Sequence, residues 1–160
     1  MFVVTTKGRY ATRAMLELAS WKGDSHARLS DIAAAQKISL KYLSRIMTAL
    51  VSAGLVRSRR GKNGGFDLGK PPSKIRLYDI LCAVEGPVEP APCTGRRVAC
   101  GKFDRCVTRD VWIGLKNGLI SMLEGISLED LVRRHHGMPD IANRSGFSLV
   151  RPSDTRRGKS

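Results

Sequence analysis

Three cysteines lie close together in the second half of the chain. Cys93, Cys100 and Cys106 follow the spacing C-x6-C-x5-C within fourteen residues. Thiolates are soft ligands that suit zinc, cuprous ions and iron–sulfur clusters, so three of them in one loop can surround a single metal centre. A disulfide plus one spare thiol is the plainer alternative, but an odd group of three in a loop is poor disulfide design.

Length and composition indicate where these thiols reside. A chain of 160 residues holds one domain, or a small domain with an appendage. It has no apolar run long enough for a transmembrane helix, and its N-terminus lacks the features of a signal peptide. We therefore expect a cytoplasmic protein with no membrane partner. Thiols stay reduced in that compartment, so clustered cysteines favour metal binding or catalysis over disulfides.

Positive charge is concentrated in the N-terminal half. Residues 1–76 contain 15 Lys and Arg against 4 Asp and Glu, whereas residues 77–160 contain 13 against 10, for a formal net charge of +14 overall. Such a field attracts polyanions, of which nucleic acid is the commonest. A membrane surface would also attract it, but no basic amphipathic helix with bulky apolar anchors is evident.

Apolar spacing and capping residues predict three helices in this basic half. Two short helices joined by the turn at residues 37–39 form a helix-turn-helix, and Gly54 ends the second of them. The predicted helices cover 7–21 after a Thr6 cap, 31–36 after a Ser30 cap, and 40–53 after a Ser39 cap. The apolar stripe of the last helix consists of Leu40, Leu43, Ile46, Met47, Leu50 and Val51.

The helix over 40–53 is the predicted recognition helix. In a helix-turn-helix this helix lies in the major groove with its N-terminal residues facing base edges. Lys41 and Arg45 lie one turn apart off the apolar stripe, although both could simply be solvated, and Tyr42 could equally pack on a neighbouring helix. The candidate DNA contacts are Ser39, Lys41, Tyr42, Ser44 and Arg45.

A basic hairpin follows directly. Val56, Phe66 and Leu68 lie in short alternating runs on either side of a glycine-rich turn over 61–65, which predicts a two-stranded wing. Phosphate contacts and minor-groove insertion both need basic side chains at such a position. The wing carries Arg57, Arg59, Arg60 and Lys62.

The second half predicts helices on either side of the cysteine loop. A short amphipathic helix over 77–84 carries Cys82 as a small core residue, and a long helix runs from 107 or 108 to about 124. A capping box at 127–130 opens a last helix that ends near 134. An apolar seam on the long helix suits a partner helix or intramolecular packing: Val111, Leu115, Leu119 and Met122.

Several phrases of this sequence resemble the winged-helix regulators of the Rrf-two superfamily, whose types include IscR, NsrR, RirA and CymR. They are Thr6-Lys-Gly-Arg-Tyr-Ala11, Leu40-Lys-Tyr-Leu43, and Gly54-Leu-Val56 followed by Arg60-Gly-Lys-Asn-Gly-Gly-Phe66. The resemblance runs over about residues 1–135. It implies a mainly α fold with a small β wing, in which a winged helix-turn-helix is joined to a long dimerisation helix.

The resemblance also implies a function. A homodimer would bind double-stranded DNA, and a 2Fe–2S or 4Fe–4S cluster on Cys93, Cys100 and Cys106 would set operator affinity in response to iron, redox state or nitric oxide. The implied organisation is a DNA-binding domain over 1–76, followed by the cysteine loop and dimerisation helices over 77–136. The composition of residues 137–160, with Pro, Ser, Gly and arginines in little pattern, predicts a disordered basic tail.

The fourth cluster ligand departs from the family pattern. IscR-type members have a histidine where this chain has Arg109, and NsrR-type members have an acidic residue on the first helix where this chain has Arg9. Asp104 and Asp110 are nearby carboxylates, and an exogenous ligand is a further option. An incompletely ligated iron should be exchangeable, which predicts a labile, sensing cluster.

Other interpretations of the cysteines stay open. Zinc can bind three cysteines with a histidine or carboxylate, although these gaps are wider than usual for structural zinc sites. A metal-free thiol switch is another option, because neighbouring basic residues favour thiolates. An enzyme is disfavoured, since no Cys-His-Asp spacing, glycine-rich phosphate loop or paired carboxylate motif is found. An adaptor would keep the helix-turn-helix but bind DNA weakly and without sequence preference.

Overall fold

The computed structural model describes residues 4–22, 26–61, 64–95, 100 and 102–137. Within these ranges the fold is mainly helical with one antiparallel two-stranded sheet, which confirms the predicted fold class. Short 3-10 turns lie at Pro72–Lys74, Pro92–Thr94 and Phe103–Arg105. The elements are α1 (Thr6–Ser20), α2 (Leu29–Gln36), α3 (Leu40–Ser52), β1 (Val56–Arg59), β2 (Gly65–Leu68), α4 (Leu77–Glu85), α5 (Val107–Glu124) and α6 (Leu128–His136).

Helices from both halves of the chain share one hydrophobic core. Met15 of α1, Ile46 of α3, Ile80 of α4 and Leu128 of α6 are all fully buried in the same cluster. Burial of side chains of this size contributes roughly 1.5–3 kcal/mol each relative to exposure. Helices α4 and α6 therefore pack directly on the helix-turn-helix. The functional boundary at residue 76 remains a prediction.

The start of α1 is fastened to the end of α4. Thr5, not Thr6 as predicted, is the N-cap: Thr5 has extended backbone, and its hydroxyl accepts a hydrogen bond from the Lys7 N–H at 3.0 Å. The Glu85 carboxylate then accepts from the N–H of Thr5 at 3.2 Å and of Gly8 at 2.9 Å. A Cβ at Gly8 would lie 2.7 Å from Glu85 Oε1 and 3.0 Å from Leu81.

We expect Gly8→Ala to lower the free energy of unfolding by about 1–2 kcal/mol. The new methyl group displaces the Glu85 carboxylate from its N–H donors, and this loss exceeds the gain in helix propensity. Urea unfolding of the wild type, Gly8→Ala, Glu85→Ala and the Gly8→Ala/Glu85→Ala double variant measures the effect. In a Glu85→Ala background the same change should cost far less, and equal costs in both backgrounds would show that the carboxylate is not the obstacle.

The helix-turn-helix is confirmed. Lys37 adopts the left-handed conformation (φ 53°) between α2 and α3, and the Ser39 hydroxyl caps α3 by accepting from the Tyr42 N–H at 3.3 Å. Gly54, also left-handed (φ 69°), follows the C-cap of α3 as predicted. The predicted Ser30 cap is wrong, because α2 already begins at Leu29, which packs on the core; the Ser30 hydroxyl donates to Asp31 instead.

The wing is also confirmed, and a third segment anchors it. Strands β1 and β2 pair from Val56 opposite Leu68 to Arg59 opposite Gly65. The Phe66 N–H donates to the carbonyl of Ala27 at 2.9 Å, so the segment before α2 bridges the sheet edge. Lys62, in the turn, and the predicted tail from residue 138 onward lie outside the described residues.

The boundaries of the last two helices are close to those predicted. Helix α5 begins at Val107 and ends at Glu124. The capping box opens α6, since the Ser127 N–H donates to Asp130 at 3.0 Å and the Asp130 N–H donates to the Ser127 hydroxyl at 3.1 Å. Helix α6 continues to His136, two residues beyond the predicted end.

Candidate nucleic-acid interface and cysteine loop

Helix α3 exposes a polar face at its N-terminal end. Ser39, Lys41, Ser44 and Arg45 are all exposed, as expected for side chains that would face base edges, while Leu43, Ile46, Met47 and Leu50 are buried beneath them. Leu40 departs from the predicted apolar stripe, because it lies in the first turn, before the helix reaches the core, and is 52% exposed.

Tyr42 lies between the candidate interface and the core. It is half-buried, and its ring packs edge-on against Tyr10 of α1 at a centroid distance of 6.0 Å. The Arg13 guanidinium in turn lies 5.7 Å from the centroid of the Tyr10 ring. These contacts favour the packing interpretation of Tyr42 and fix the orientation of α3 on α1.

An open groove separates α3 from the wing. It has a volume of about 230 Å³, with a floor of Met47, Val51 and Phe66. Its rim carries hydroxyl groups, of which that of Thr48 donates to the Ser44 carbonyl at 2.9 Å. Hydroxyls are frequent donors to phosphate oxygens in protein–DNA interfaces. The rim residues are Ser44, Thr48, Ser52 and Ser58.

The three described arginines of the wing differ in their contacts within the chain. The Arg57 guanidinium donates to the carbonyl of Gly69 at 2.8 Å, and Arg59 lies 3.5 Å from Asp67. Asp67 also contacts His26 Nδ1 at 2.6 Å. Arg60 is exposed and has no hydrogen-bond or ion-pair partner within the described ranges. Of the wing cations that the structure describes, Arg60 is therefore the most available to DNA.

Three free thiols lie in or next to the segment between α4 and α5. Cys93, within the 3-10 turn at Pro92–Thr94, and Cys106, at the N-cap of α5, are half-buried, whereas Cys100 is exposed. Among the described residues, no three His, Cys, Asp or Glu side chains are close enough together to hold a metal ion. Three thiols are nevertheless a donor set that fits a soft metal by its chemistry.

The Cys106 thiol lies against hydrogen-bond donors at the start of α5. A hydrogen bond with the Thr108 hydroxyl, at 3.1 Å from Sγ, and the backbone N–H groups of Arg109 and Thr108 lower the pKa of the Cys106 thiol. These donors belong to the first turn of α5, where the helix dipole also favours negative charge. The thiolate is the form that binds metals and attacks oxidants.

The two positions at which the resemblance implies a fourth ligand, 109 and 9, hold arginines that make contacts within the chain. Arg109 Nε donates to the Cys93 carbonyl at 3.2 Å, and its guanidinium lies 4.3 Å from the centroid of the Phe103 ring. Arg9 donates to the Thr6 hydroxyl at 3.1 Å. A guanidinium has no lone pair to offer a metal, so neither residue completes a metal site. The carboxylates of Asp104 and Asp110 are exposed.

Cys82 has a different environment. It lies on α4, half-buried rather than in the core as predicted, and its hydrogen bond with Tyr78 raises the pKa of the tyrosine. Helix α4 packs its buried face through Ile80, Leu81 and Val84, which leaves position 82 at the edge of that face.

Helix α5 exposes apolar side chains. Val111, Leu115 and Met122 are 61%, 47% and 57% exposed, and Val107 is 80% exposed. Leu119 differs, because it packs within the chain on the cluster of Leu81, Val88 and Leu123. A contiguous exposed apolar surface of this kind is typical of a protein–protein interface.

A helix-turn-helix followed at once by a basic wing defines the winged-helix DNA-binding proteins. The model of the Rrf2 family, described as iron-dependent transcriptional regulators, matches residues 4–134, and the chain belongs to this family. It is 40% identical over 141 residues to the HTH-type transcriptional regulator IscR of Photorhabdus laumondii, covering 88% of this chain and 85% of that protein. The IscR regulator of Xenorhabdus nematophila is 38% identical over 154 residues, covering 96% and 89%.

Solved structures agree with the fold. The global cysteine regulator CymR of B. subtilis superposes with a TM-score of 0.70 at 34% identity, covering 84% of this chain and 98% of that chain. IscR of T. potens gives 0.68 at 32% identity, covering 86% and 93%. The protein is thus a DNA-binding transcription regulator of the Rrf2 type, which confirms the predicted non-enzymatic role. No helix in the described part of the chain is long and apolar enough to cross a membrane.

Proposed function

We propose that the protein is a cytoplasmic, homodimeric regulator whose affinity for operator DNA is set by an iron–sulfur cluster on Cys93, Cys100 and Cys106. The observation that carries the proposal is the placement of three free thiols immediately before α5, the helix with the exposed apolar face. The state of the loop can therefore alter the helix that pairs two copies, and pairing sets the spacing of the two DNA-binding halves.

DNA recognition rests on α3 and the wing. Helix α3 would enter the major groove with Lys41, Ser44 and Arg45 toward base edges and phosphates. The wing would reach the adjacent minor groove with Arg60. The DNA backbone that separates the major from the minor groove would then lie over the protein's own groove between α3 and the wing, whose rim carries the hydroxyl groups. Lys62 and Ser39 complete the proposed contacts.

Dimerisation rests on the outer face of α5. Val111, Leu115 and Met122 would pack on the same helix of a second copy, since an isologous contact buries identical patches. Leu119 would border this contact from the intramolecular side. Two recognition helices in such a dimer read half-sites about one helical turn apart, or a multiple of that distance.

The cysteine loop would hold the cluster. When bound, an iron–sulfur cluster supplies a centre whose integrity depends on oxidants, nitric oxide and iron supply. The chain contributes three thiols, and hydrogen-bond donors in the first turn of α5 lower the pKa of the Cys106 thiol. Exposure of Cys100 leaves one edge of the site open to solvent and to small reactants.

A thiol switch without metal is the second candidate. The lowered pKa of the Cys106 thiol favours it, because thiolates react with oxidants. A structural neighbour is titled as the oxidized form of Staphylococcus aureus CymR, at 28% identity and a TM-score of 0.64. Iron and sulfide analysis after anaerobic reconstitution separates the two candidates, since a colourless, iron-free protein would exclude the cluster.

Arg60→Ala is expected to weaken operator binding about tenfold and to reduce the dependence of log Kd on log salt concentration by about one unit. Its guanidinium is the described wing cation without an intramolecular partner, so its removal costs a DNA contact and little else. Fluorescence anisotropy at several salt concentrations, with DNA selected by the wild-type protein, measures both. Arg134→Ala on α6 removes the same charge elsewhere and should change neither. Unaltered binding by Arg60→Ala would remove the wing tip from the interface.

A further inference from the structure

Arg109 contacts both described ends of the cysteine loop. Its side chain donates through Nε to the Cys93 carbonyl at 3.2 Å. Its backbone N–H donates to the Cys106 carbonyl at 3.0 Å. The guanidinium lies over the ring of Phe103, in the 3-10 turn just before Cys106, which holds the side chain in a fixed orientation.

Lys116 makes a second contact of the same kind. Two turns further along α5, its Nζ donates to the Thr94 carbonyl at 3.0 Å. Residues seven apart lie on the same face of a helix. Arg109 and Lys116 can therefore donate to the carbonyls of two consecutive residues, Cys93 and Thr94, in one turn. Both side chains are half-buried, which strengthens hydrogen bonds from a charged donor. The turn at Pro92–Thr94 is thereby fastened to α5.

We propose that Arg109 is a positioning residue that holds Cys93 beside Cys106 before any metal binds. The proposal rests on the proposed function, because it assigns a positioning role at the same loop. The hydrogen bonds of Arg109 and Lys116 to the turn, which we call the clamp, involve only atoms of the chain. Bringing the two ends of a loop together costs conformational entropy. Charge-assisted hydrogen bonds from α5 offset part of that cost, so the loop presents two of its thiols in a partly assembled arrangement.

The clamp also defines what Arg109 does not do. A guanidinium carries only N–H donors and offers no lone pair to a metal. The remaining coordination of a metal centre here has to come from another donor, such as a carboxylate or a small exogenous ligand. This chain has therefore exchanged a ligating position for one that shapes the loop.

The effective concentration of Cys93 relative to Cys106 tests the clamp without metal. In full-length protein carrying Cys82→Ser and Cys100→Ser, oxidised glutathione converts the two remaining thiols to one disulfide and releases two molecules of reduced glutathione. The equilibrium constant gives the effective concentration. Arg109→Ala should lower it about tenfold, as expected for loss of a charge-assisted hydrogen bond. Arg109→Lys, which keeps a charged donor, should restore part of the loss.

Arg105→Ala is the matched control, because it removes an exposed arginine from the neighbouring 3-10 turn. An equal loss in Arg105→Ala would show that general charge, not the clamp, acts on the thiols, and would overturn the proposal. The proposal would also be overturned if Arg109→Ala left the effective concentration unchanged. It would equally be overturned if the Cys82→Ser, Cys100→Ser protein with Arg109 intact did not form the disulfide. Thermal unfolding of each variant excludes a global loss of structure as the cause.

A measurement of iron retention distinguishes a failure of the proposal for Arg109 from a failure of the proposed iron–sulfur cluster. With all four cysteines present, reconstituted Arg109→Ala should release iron to a chelator faster than the wild type and Arg105→Ala. Faster release with an unchanged effective concentration would mean that Arg109 acts on the metal centre directly, against the proposal. If the wild type takes up no iron, the proposed function fails, while the glutathione equilibrium still decides whether Arg109 positions the loop.

Discussion

Replacing Cys93, Cys100 or Cys106 with alanine is expected to abolish the visible absorbance and the bound iron of the anaerobically reconstituted protein. Each change leaves only two of the three loop thiolates, and the described arginines at positions 9 and 109 cannot substitute for the missing ligand. Absorption spectra with iron and sulfide analysis measure the loss. Operator affinity in the three variants should match that of the cluster-free wild type.

Cys82→Ala is the control for this series. Cys82 lies on α4 beside Tyr78 and outside the loop, so its loss should leave the chromophore intact. A chromophore that requires Cys82 would show that the ligand assignment is wrong. If the protein instead contains no iron but one zinc per chain, and the zinc is lost when any of the three loop cysteines is replaced, the structural zinc alternative is favoured.

Local sequence signals predicted the elements of this fold well. The spacing of apolar residues placed α3 and α5 within a residue or so of their observed bounds, and the glycine-rich turn between alternating strands identified the wing. The cap of α1 was misplaced by one residue because Thr5 and Thr6 are equally good caps by type. The choice between them depends on Glu85, which binds the N–H of Thr5.

Contacts between distant residues could not be predicted in the same way. Periodicity shows which face of a helix is buried but does not name the partner. The Glu85 contact with Gly8 spans 77 positions, and the His26 contact with Asp67 spans 41. The same holds for Arg109, since the sequence marked it as a departure from a ligand pattern while only the structure shows its bond to Cys93.

In the proposed mechanism, the exposed face of α5 would link the cysteine loop to DNA binding. Leu119 and Leu123 form the inner face of the helix and pack within the chain, whereas Val111, Leu115 and Met122 are exposed among the residues that the structure describes. Because Arg109 and Lys116 tie the loop to this same helix, a change in the loop can reach the paired surface over one or two helical turns.

Leu115→Asp is expected to convert the protein to a monomer and to weaken operator binding by about a hundredfold or more. A carboxylate at the centre of the paired face would have to be desolvated opposite its own copy, and like charges there repel. A monomer then binds one half-site without the gain from linking two sites, which is about 10²–10⁴ in affinity. Sedimentation velocity gives the assembly state, and fluorescence anisotropy gives the affinity.

Asn117→Asp supplies the matched control, because it adds the same charge at an exposed position of α5 away from Leu115. It should remain dimeric and bind DNA as the wild type does. A dimeric Leu115→Asp would place the interface elsewhere. A monomeric Leu115→Asp with wild-type affinity would separate dimerisation from DNA binding, and the cysteine loop would then have to act on α3 through α4 and α1, whose ends Glu85 joins.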